Sequence, residues 1–148
     1  MRVKVERSTI EVLLVEDNLA DIQLTMEGLA EGNIRPHVNF VRDGEAAMEF
    51  LRRKGQYANA PRPQLILLDL NLPKKSGQEV LAELKSDAAL KSIPVVVLTT
   101  STAPLDIQVS YGLHANCYLA KPSDIEEFGE TVRLIEEFWL VHAELPLH

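Results

Sequence analysis

Short runs of β-branched residues and leucine alternate with segments of helical periodicity along the chain. The runs that we interpret as strands cover residues 11–15, 37–41, 65–68, 95–99 and 117–119. Three of them are almost continuously apolar, which is typical of parallel strands covered by helices on both faces. The alternation therefore predicts an α/β protein with a doubly wound, five-stranded parallel sheet flanked by five helices.

Residues with helix-capping chemistry mark the ends of the intervening helices. The pattern predicts an N-cap at Asp43 for a helix over 44–54, a proline in a first turn at Pro104, and helix ends near Gly32 and Gly112. Two serines stand three residues before a glutamate, the spacing of a capping box. These pairs are Ser76 with Glu79 and Ser123 with Glu126.

Right-handed crossover connections between five parallel strands favour the strand order 2-1-3-4-5. Ligands of such sheets bind where the strand order reverses, at the carboxyl ends of the first and third strands. The loops after Val15 and Leu68 are therefore expected to form the functional site.

Three acidic residues follow these two strands directly. Glu16 and Asp17 follow the first strand and Asp69 follows the third. Carboxylates that converge in this way repel one another unless a cation or proton intervenes, and Mg²⁺ prefers such oxygen ligands. The sequence thus predicts a magnesium site. Alternatively, Glu16 and Asp17 have no ligand and only stabilise the N-terminus of the following helix through its dipole. This alternative fits Asp69 less well, because a loop rather than a helix follows it.

A hydroxyl group and an ammonium group are expected at the same edge. The fourth strand ends in Thr99 and is followed by Ser101, and Lys121 follows the fifth strand. Lysine and hydroxyl donors suit a phosphoryl group, and a carboxylate can attack phosphorus to form an aspartyl phosphate. Taken separately, Lys121 could be a solvated surface residue and Thr99 an ordinary strand residue.

The composition of the chain limits the kinds of binding partner and the cellular location that we expect. The chain has 148 residues and a net charge of -7, with 22 acidic and 15 basic residues, so nucleic acid is not an expected partner. No apolar run approaches the roughly 20 residues that span a bilayer. The single cysteine, Cys117, cannot form an internal disulfide, which favours a cytoplasmic location.

Four motifs recur at the ends of the predicted strands: LLVEDN at 13–18, ILLDLNLPKKSG at 66–77, VVVLTTS at 95–101 and YLAKP at 118–122. They occur in the order found in the receiver domain of two-component signalling, and the chain resembles that family over about residues 10–141. The resemblance implies a response regulator rather than an enzyme with a separate substrate. We expect a single receiver domain over 1–148 with a short C-terminal extension and no output domain.

The resemblance assigns roles to the acidic loops. It implies that Asp69 is the phosphoacceptor, that Asp17 binds Mg²⁺ directly and that Glu16 binds it mainly through water. Mn²⁺ or Ca²⁺ would substitute in vitro. The backbone carbonyl of Asn71 would complete the protein ligands, and Asn71 and Ser101 would tune dephosphorylation.

The resemblance also assigns roles at the fourth and fifth strands. Thr99 would bind a phosphoryl oxygen, Tyr118 would be the coupled aromatic switch, and Lys121 would contact Asp69 or its phosphoryl group. The peptide bond between Lys121 and Pro122 is expected to be cis.

A lengthened connection over residues 54–62 resembles small response regulators that pair with cyanobacterial and bacterial phytochromes. The expected phosphodonor is a phosphohistidine of a sensor kinase, because none of the chain's four histidines lies in a recognisable donor motif.

The end of the chain carries two apolar stripes. One, expected in the core, comprises Ile125, Phe128, Val132, Ile135 and Trp139. The second comprises Leu134, Phe138, Val141 and Leu145, and predicts a homodimer through the fifth helix and tail. Alternatively, the tail folds back onto its own domain.

Three other functions remain open at this stage. A flavodoxin-like cofactor binder shares the fold, but an acidic first loop disfavours flavin phosphate. A phosphatase of the haloacid-dehalogenase type would need an acid where Asn71 stands. A degenerate receiver acting only as an interaction module is disfavoured because no acidic-pocket residue is missing.

Overall fold

Five parallel strands form one sheet in the computed structural model, which describes residues 9–146. The other residues of the expected domain, 1–8 and 147–148, lie outside the described range. The elements are β1 (Glu11–Val15), α1 (Leu19–Ala30), β2 (His37–Val41), α2 (Gly44–Leu51), β3 (Leu65–Leu68), α3 (Gly77–Ser86), β4 (Val95–Thr99), α4 (Pro104–Gly112), β5 (Cys117–Ala120) and α5 (Ile125–Ile135). The strand order is β2-β1-β3-β4-β5, which confirms the predicted topology.

The central strands β1, β3 and β4 are buried on both faces. Alternate residues point to opposite sides of the sheet, so Leu13 and Val15 join one core layer while Val12 and Leu14 join the other. The first layer also contains residues of α2 and α3, and the second contains residues of α1 and α5. Within the described range, no helix is long and apolar enough to cross a membrane.

Most of the predicted helix caps form. The Asp43 carboxylate accepts from the Ala46 amide, and Ser76 and Glu79 cap each other's backbone at the start of α3. The predicted capping box at Ser123 is wrong, because Asp124 is the N-cap of α5 and accepts from the Glu127 amide at 3.2 Å. A carboxylate at this position also interacts favourably with the helix dipole.

The C-terminal stripe departs from the simple helical spacing. Phe128, Val132 and Ile135 are buried as predicted, but Ile125 is 67% exposed. After Ile135 the chain continues as a π-helical segment, Glu136–His142. Its wider turn places Leu140, five residues after Ile135, in the core instead of the predicted Trp139, which is half-buried.

The predicted second stripe is divided by the same geometry. Leu134 and Phe138 are 62% and 58% exposed, whereas Leu145 packs against the core of its own domain and Val141 is half-buried. The tail therefore folds back in part, and its outer face retains two large apolar side chains.

Gly77, the first residue of α3, lies tightly against the loop that carries Asp69. A Cβ atom at Gly77 would lie 2.2 Å from the Asp69 carbonyl oxygen and 2.6 Å from the Leu70 Cα. We expect Gly77→Ala to lower the free energy of unfolding by about 2–3 kcal/mol, because backbone atoms must move. Urea unfolding measures the change.

Gly129→Ala in α5 provides the matched control, since a Cβ atom added at Gly129 would meet no heavy atom within 4 Å beyond its chain neighbours and the nearby backbone of its own helix. This substitution should stabilise the protein by about 0.5–1 kcal/mol, because glycine is unfavourable inside a helix. Equal effects of the two substitutions would contradict the close packing at Gly77.

Candidate functional site

The carboxyl ends of β1, β3, β4 and β5 bring together the residues singled out in the sequence. Sheet hydrogen bonds continue past the strand ends: the Asp69 amide donates to the Val15 carbonyl at 3.0 Å, and the Lys121 amide donates to the Thr99 carbonyl at 2.7 Å. These bonds fix the backbone beneath Asp69 and Lys121. Both side chains are therefore positioned by the rigid edge of the sheet.

The Lys121 ammonium group lies among three carboxylates. Its Nζ atom is 2.9 Å from Asp69 Oδ2 and 2.9 Å from Asp21 Oδ2, and it also forms a short ion pair with Glu16. The side chains of Lys121, Glu16 and Asp69 are almost completely buried. The cation offsets the repulsion between acids that burial would otherwise make costly.

Burial and the ion pairs shift the pKa values in different directions. Burial raises the pKa of Glu16 to about 7, although Lys121 opposes the shift. Burial also acts to raise the pKa of Asp69, but hydrogen bonds and the charge of Lys121 outweigh it and hold this pKa below its ordinary value. Burial acts to lower the pKa of Lys121, yet its bonds to the carboxylates raise it overall. Asp69 is therefore a carboxylate at neutral pH, beside a charged lysine.

Backbone amides support the same carboxylates. The Asn71 N–H donates to Asp69 Oδ1 at 3.2 Å, and the Asn18 N–H donates to Glu16 Oε1 at 3.0 Å. Asn71 is followed by a loop, and its side chain is exposed. Each carboxylate oxygen of Asp69 therefore accepts a hydrogen bond, Oδ2 from the Lys121 ammonium group and Oδ1 from the Asn71 backbone amide.

Asp17 directly follows Glu16 but is not among the carboxylates that contact Lys121. Its carboxylate is 49% exposed and lies 3.9 Å from the Arg42 guanidinium group, which also donates to the Asp17 carbonyl. Among residues 9–146, no three acidic, histidine or cysteine side chains are gathered closely enough to hold a metal ion. The oxygen atoms of Glu16, Asp17 and Asp69 nevertheless have the donor chemistry that a hard divalent cation requires.

Thr99 presents a buried hydroxyl without a hydrogen-bond partner in the described part of the chain. The residue is fully buried and lies close enough to Asp69 to favour the ionised carboxylate, but the geometry falls short of a hydrogen bond. An unpaired buried hydroxyl is unfavourable. An additional oxygen atom bound at Asp69 would offer it an acceptor.

Tyr118 is tied to the loop that follows Thr99. Its hydroxyl donates to the Ser101 carbonyl at 2.8 Å, and the Ser101 hydroxyl donates to Asp106 Oδ2 at 2.5 Å. The Gln78 side chain donates to the other oxygen of Asp106 at 3.3 Å. Ser101 is thus engaged with α4, and the network connects β5, α4 and α3.

The expected cis peptide before Pro122 is wrong, because no cis peptide bond occurs among residues 9–146. The trans form is the more stable one by about 0.5–1 kcal/mol for a bond to proline. In this conformation Lys121 still reaches all three carboxylates.

Sequence reasoning missed Asp21 as a site residue. Asp21 lies in the first turn of α1, just after the acidic loop. This position could have indicated its role, because the first turn of a helix that starts at the carboxyl edge of the sheet lies close to that edge. Asp106, in the first turn of α4, was missed for the same reason.

The strand order and the acidic pocket at its switch point define a doubly wound α/β protein with a receiver-type site. The chain belongs to the response regulator family, since the response regulator receiver domain matches residues 12–133. It is 53% identical to response regulator Rcp1 of Synechocystis sp. over 135 residues, covering 91% of this chain and 92% of that protein.

Solved structures agree with this assignment. The phosphorylated cyanobacterial phytochrome response regulator RcpA superposes with a TM-score of 0.92 at 56% identity, covering 95% of this chain and 100% of that one. The Mn²⁺-bound form of Rcp1 has a TM-score of 0.91 at 52% identity, covering 93% and 99%. The resemblance predicted from the sequence, to receivers and to phytochrome response regulators, is confirmed.

Lys121→Met would leave the buried carboxylates without their cation. We expect a loss of about 3–5 kcal/mol in the free energy of unfolding at pH 7. Without Lys121 the pKa values of Asp69 and Glu16 rise in the folded state, so the folded protein binds protons more tightly. The variant should therefore regain stability as the pH falls from 7 towards 5.

Urea unfolding of the wild type and of Lys121→Met between pH 7 and pH 5 measures these changes in the free energy of unfolding. Lys74→Met is the control, because Lys74 is exposed and lies 3.8 Å from Asp43, and its loss should cost less than about 1 kcal/mol. A Lys121→Met variant that is as stable as the wild type at pH 7 would contradict the role of the ammonium group.

Proposed function

We propose that the protein is a phosphorylation switch in which Asp69 accepts a phosphoryl group from the phosphohistidine of a sensor histidine kinase. One observation carries the proposal: the ionised Asp69 carboxylate is held by Lys121 at 2.9 Å, beside a Thr99 hydroxyl that has no hydrogen-bond partner among residues 9–146. Nucleophile, cation and hydroxyl donor thus meet at one edge of the sheet.

The chemistry follows from these positions. A carboxylate oxygen of Asp69 forms a bond to phosphorus as the bond from phosphorus to the histidine nitrogen breaks, and the nitrogen keeps the electron pair. Lys121 and the Thr99 hydroxyl stabilise the phosphoryl oxygens. Tyr118, bonded to the same loop as Thr99, would respond to any movement of that threonine.

A divalent cation, Mg²⁺ in the cell, would supply charge neutralisation for the phosphoryl group. Asp17 and Asp69 would bind it directly, Glu16 through water and Asn71 through its backbone carbonyl. Support comes from the hard oxygen donors of this pocket and from the solved structure of Mn²⁺-bound Rcp1. Asn71 and Ser101 would influence the rate at which the phosphoryl group is lost.

The acidic loop distinguishes this function from binding of a flavin phosphate. In the loop after β1, the Asn18 amide is already occupied by Glu16, and the adjoining carboxylates repel a phosphate in the absence of a cation. Asn71 in place of a second acid also disfavours turnover of external substrates. We propose a switch that processes only its own phosphoryl group.

The edge around the phosphoacceptor offers a surface for a kinase. Leu19, Leu105 and Ile125 lie in the first turns of α1, α4 and α5, which begin at the carboxyl edge of the sheet, and all three side chains are largely exposed. We propose that a phytochrome-type kinase domain docks there, supported by the similarity to phytochrome response regulators.

Asp69→Asn should abolish phosphorylation by acetyl phosphate, because the amide is not nucleophilic enough to attack phosphorus. The wild type should acquire one phosphoryl group in the presence of Mg²⁺ and none with a chelator. A phosphate-affinity gel and intact mass measure the product.

Asp87→Asn is the matched control, because Asp87 lies at the C-terminal end of α3, away from Asp69. This variant should be labelled like the wild type. Labelling of Asp69→Asn, or labelling that is independent of divalent cations, would reject the proposed site.

We also propose a homodimer through the outer face of the C-terminal helix. Leu134 and Phe138 flank a groove of about 370 Å³ that is lined by Cys117, Leu119 and Trp139, among others. The groove adjoins β5, an edge strand of the sheet. Two exposed, large apolar side chains beside an apolar groove are typical of an association surface. Val141 and Leu145 would contribute less than the sequence suggested.

Phe138→Glu should shift the protein to the monomer, because a carboxylate cannot be buried unpaired in an apolar interface. Light scattering at tens of micromolar, with and without phosphorylation, measures the mass. Leu105→Glu, which changes an exposed leucine on α4, should leave the mass unchanged. A wild-type protein that is monomeric under both conditions would exclude the dimer.

A further inference from the structure

Asp21 belongs to the Lys121 ion cluster but has no part in the function proposed for Asp69. Its Oδ2 atom lies 2.9 Å from Lys121 Nζ, the same distance as Oδ2 of Asp69. A further N–H bond of Lys121 goes to Glu16. An ammonium group has three N–H donors, so each donor of Lys121 is matched by one carboxylate. A phosphoryl oxygen on Asp69 must therefore replace at least one of these acceptors.

The three carboxylates differ in burial. The side chain of Asp21 is 23% exposed, against 4% for Glu16 and 7% for Asp69, while that of Lys121 is 3% exposed. Asp21 is therefore the acceptor nearest to solvent, and the two buried acceptors lie on the inner side of the ammonium group.

The first turn of α1 holds Asp21 in place. Its backbone amide donates to the Asn18 side chain at 3.0 Å, and its carbonyl accepts from the buried Thr25 hydroxyl at 2.7 Å. Negative charge is also favourable at the N-terminus of a helix. The Asp21 carboxylate is thus supported by α1 rather than by the loop that carries Asp69.

We propose that Asp21 is a positioning residue that holds the Lys121 ammonium group in place while Asp69 accepts the phosphoryl group. The inference rests on the function proposed for Asp69. In that function Asp69 becomes an acyl phosphate and Glu16 serves the divalent cation, so both change their bonds to Lys121. Asp21 takes part in neither change, and it is the acceptor that keeps Lys121 directed at the transferring group.

The expected effect follows from the chemistry of lysine. Its ammonium group is a compact charge on a flexible four-carbon stem, so its position depends on its partners. Asp21→Asn keeps the size and one acceptor oxygen of the side chain but replaces the ion pair by a neutral hydrogen bond, which is about half as strong. We expect phosphorylation to become about tenfold slower, since a small misplacement of a catalytic group is costly.

The test measures the rate at which the full chain is phosphorylated by acetyl phosphate at saturating Mg²⁺, followed by intact mass. In this reaction an Asp69 oxygen forms the bond to phosphorus, and acetate leaves with the electron pair of the broken bond. The rate constant of Asp21→Asn should be about one tenth of the wild-type value.

Glu127→Gln is the matched control. Glu127 occupies the same position in α5 as Asp21 does in α1: its amide donates to the Asp124 side chain at 3.2 Å, and its carbonyl accepts from the Thr131 hydroxyl at 3.1 Å. It is exposed and is not among the carboxylates that contact Lys121. This variant should be phosphorylated at the wild-type rate, which separates a contact with Lys121 from a general effect of charge in a first helical turn.

A double-mutant cycle shows whether Asp21 acts through Lys121. If it does, Asp21→Asn should slow phosphorylation by less than about twofold when Lys121→Met is already present, because two coupled substitutions are not additive.

A second readout needs neither phosphorylation nor the Lys121→Met variant to fold. The side-chain ¹H–¹⁵N signal of the Lys121 ammonium group should be visible in the wild type, since burial and hydrogen bonds protect it from exchange with water. In Asp21→Asn this signal should broaden or disappear, whereas Glu127→Gln should leave it unchanged.

The outcomes distinguish this inference from the function on which it rests. A wild type that is not phosphorylated at all would reject both. A wild type that is phosphorylated while Asp21→Asn reacts equally fast would reject only the role of Asp21. Equal slowing by Glu127→Gln, equal slowing with and without Lys121→Met, or an unchanged Lys121 signal in Asp21→Asn would also overturn it.

Discussion

The ion cluster centred on Lys121 is the interaction on which the functional end of the molecule depends. One ammonium group contacts Glu16, Asp21 and Asp69, which come from the end of β1, the first turn of α1 and the end of β3. Buried charges are costly to desolvate, and apolar residues of the same volume would often be as stable or more so. Such a cluster is therefore best understood through the chemistry that it makes available at Asp69.

The scaffold beneath the cluster is correspondingly rigid. Apart from Glu11 at the start of β1, the strands β1, β3 and β4 are buried, and two core layers hold the sheet from both faces. Close backbone packing extends this rigidity into the loops: Gly77 approaches the Asp69 carbonyl and Gly44 approaches the Lys75 carbonyl so closely that a Cβ atom on either would clash. The loop that carries Asp69 is thus held by α3 as well as by the sheet, and a carboxylate so held would need little reorganisation to react.

The features that could be predicted from the sequence are those that depend on short-range patterns of residues. The five strands, the topology and the positions of Glu16, Asp69, Thr99 and Lys121 follow from apolar runs and from residues directly after them. Features that depend on side-chain reach or on local backbone geometry were not predictable in this way. Asp21 joins the site only because of where α1 begins, and Leu140 replaces Trp139 in the core only because the helix widens into a π-helical segment. A pattern with a period of 3.6 residues cannot anticipate that change.

The hydrogen bonds around Ser101 connect the chemistry at Asp69 to the outer helices. Thr99 lies two residues before Ser101, whose carbonyl accepts from Tyr118 and whose hydroxyl is bound by Asp106 in the first turn of α4. Gln78 on α3 binds the same carboxylate. Any displacement of Thr99 towards a group on Asp69 must carry this segment along or break one of these bonds. Because packed elements prefer discrete arrangements over gradual deformation, a change of one bond at Asp69 can alter the surface formed by α4 and β5.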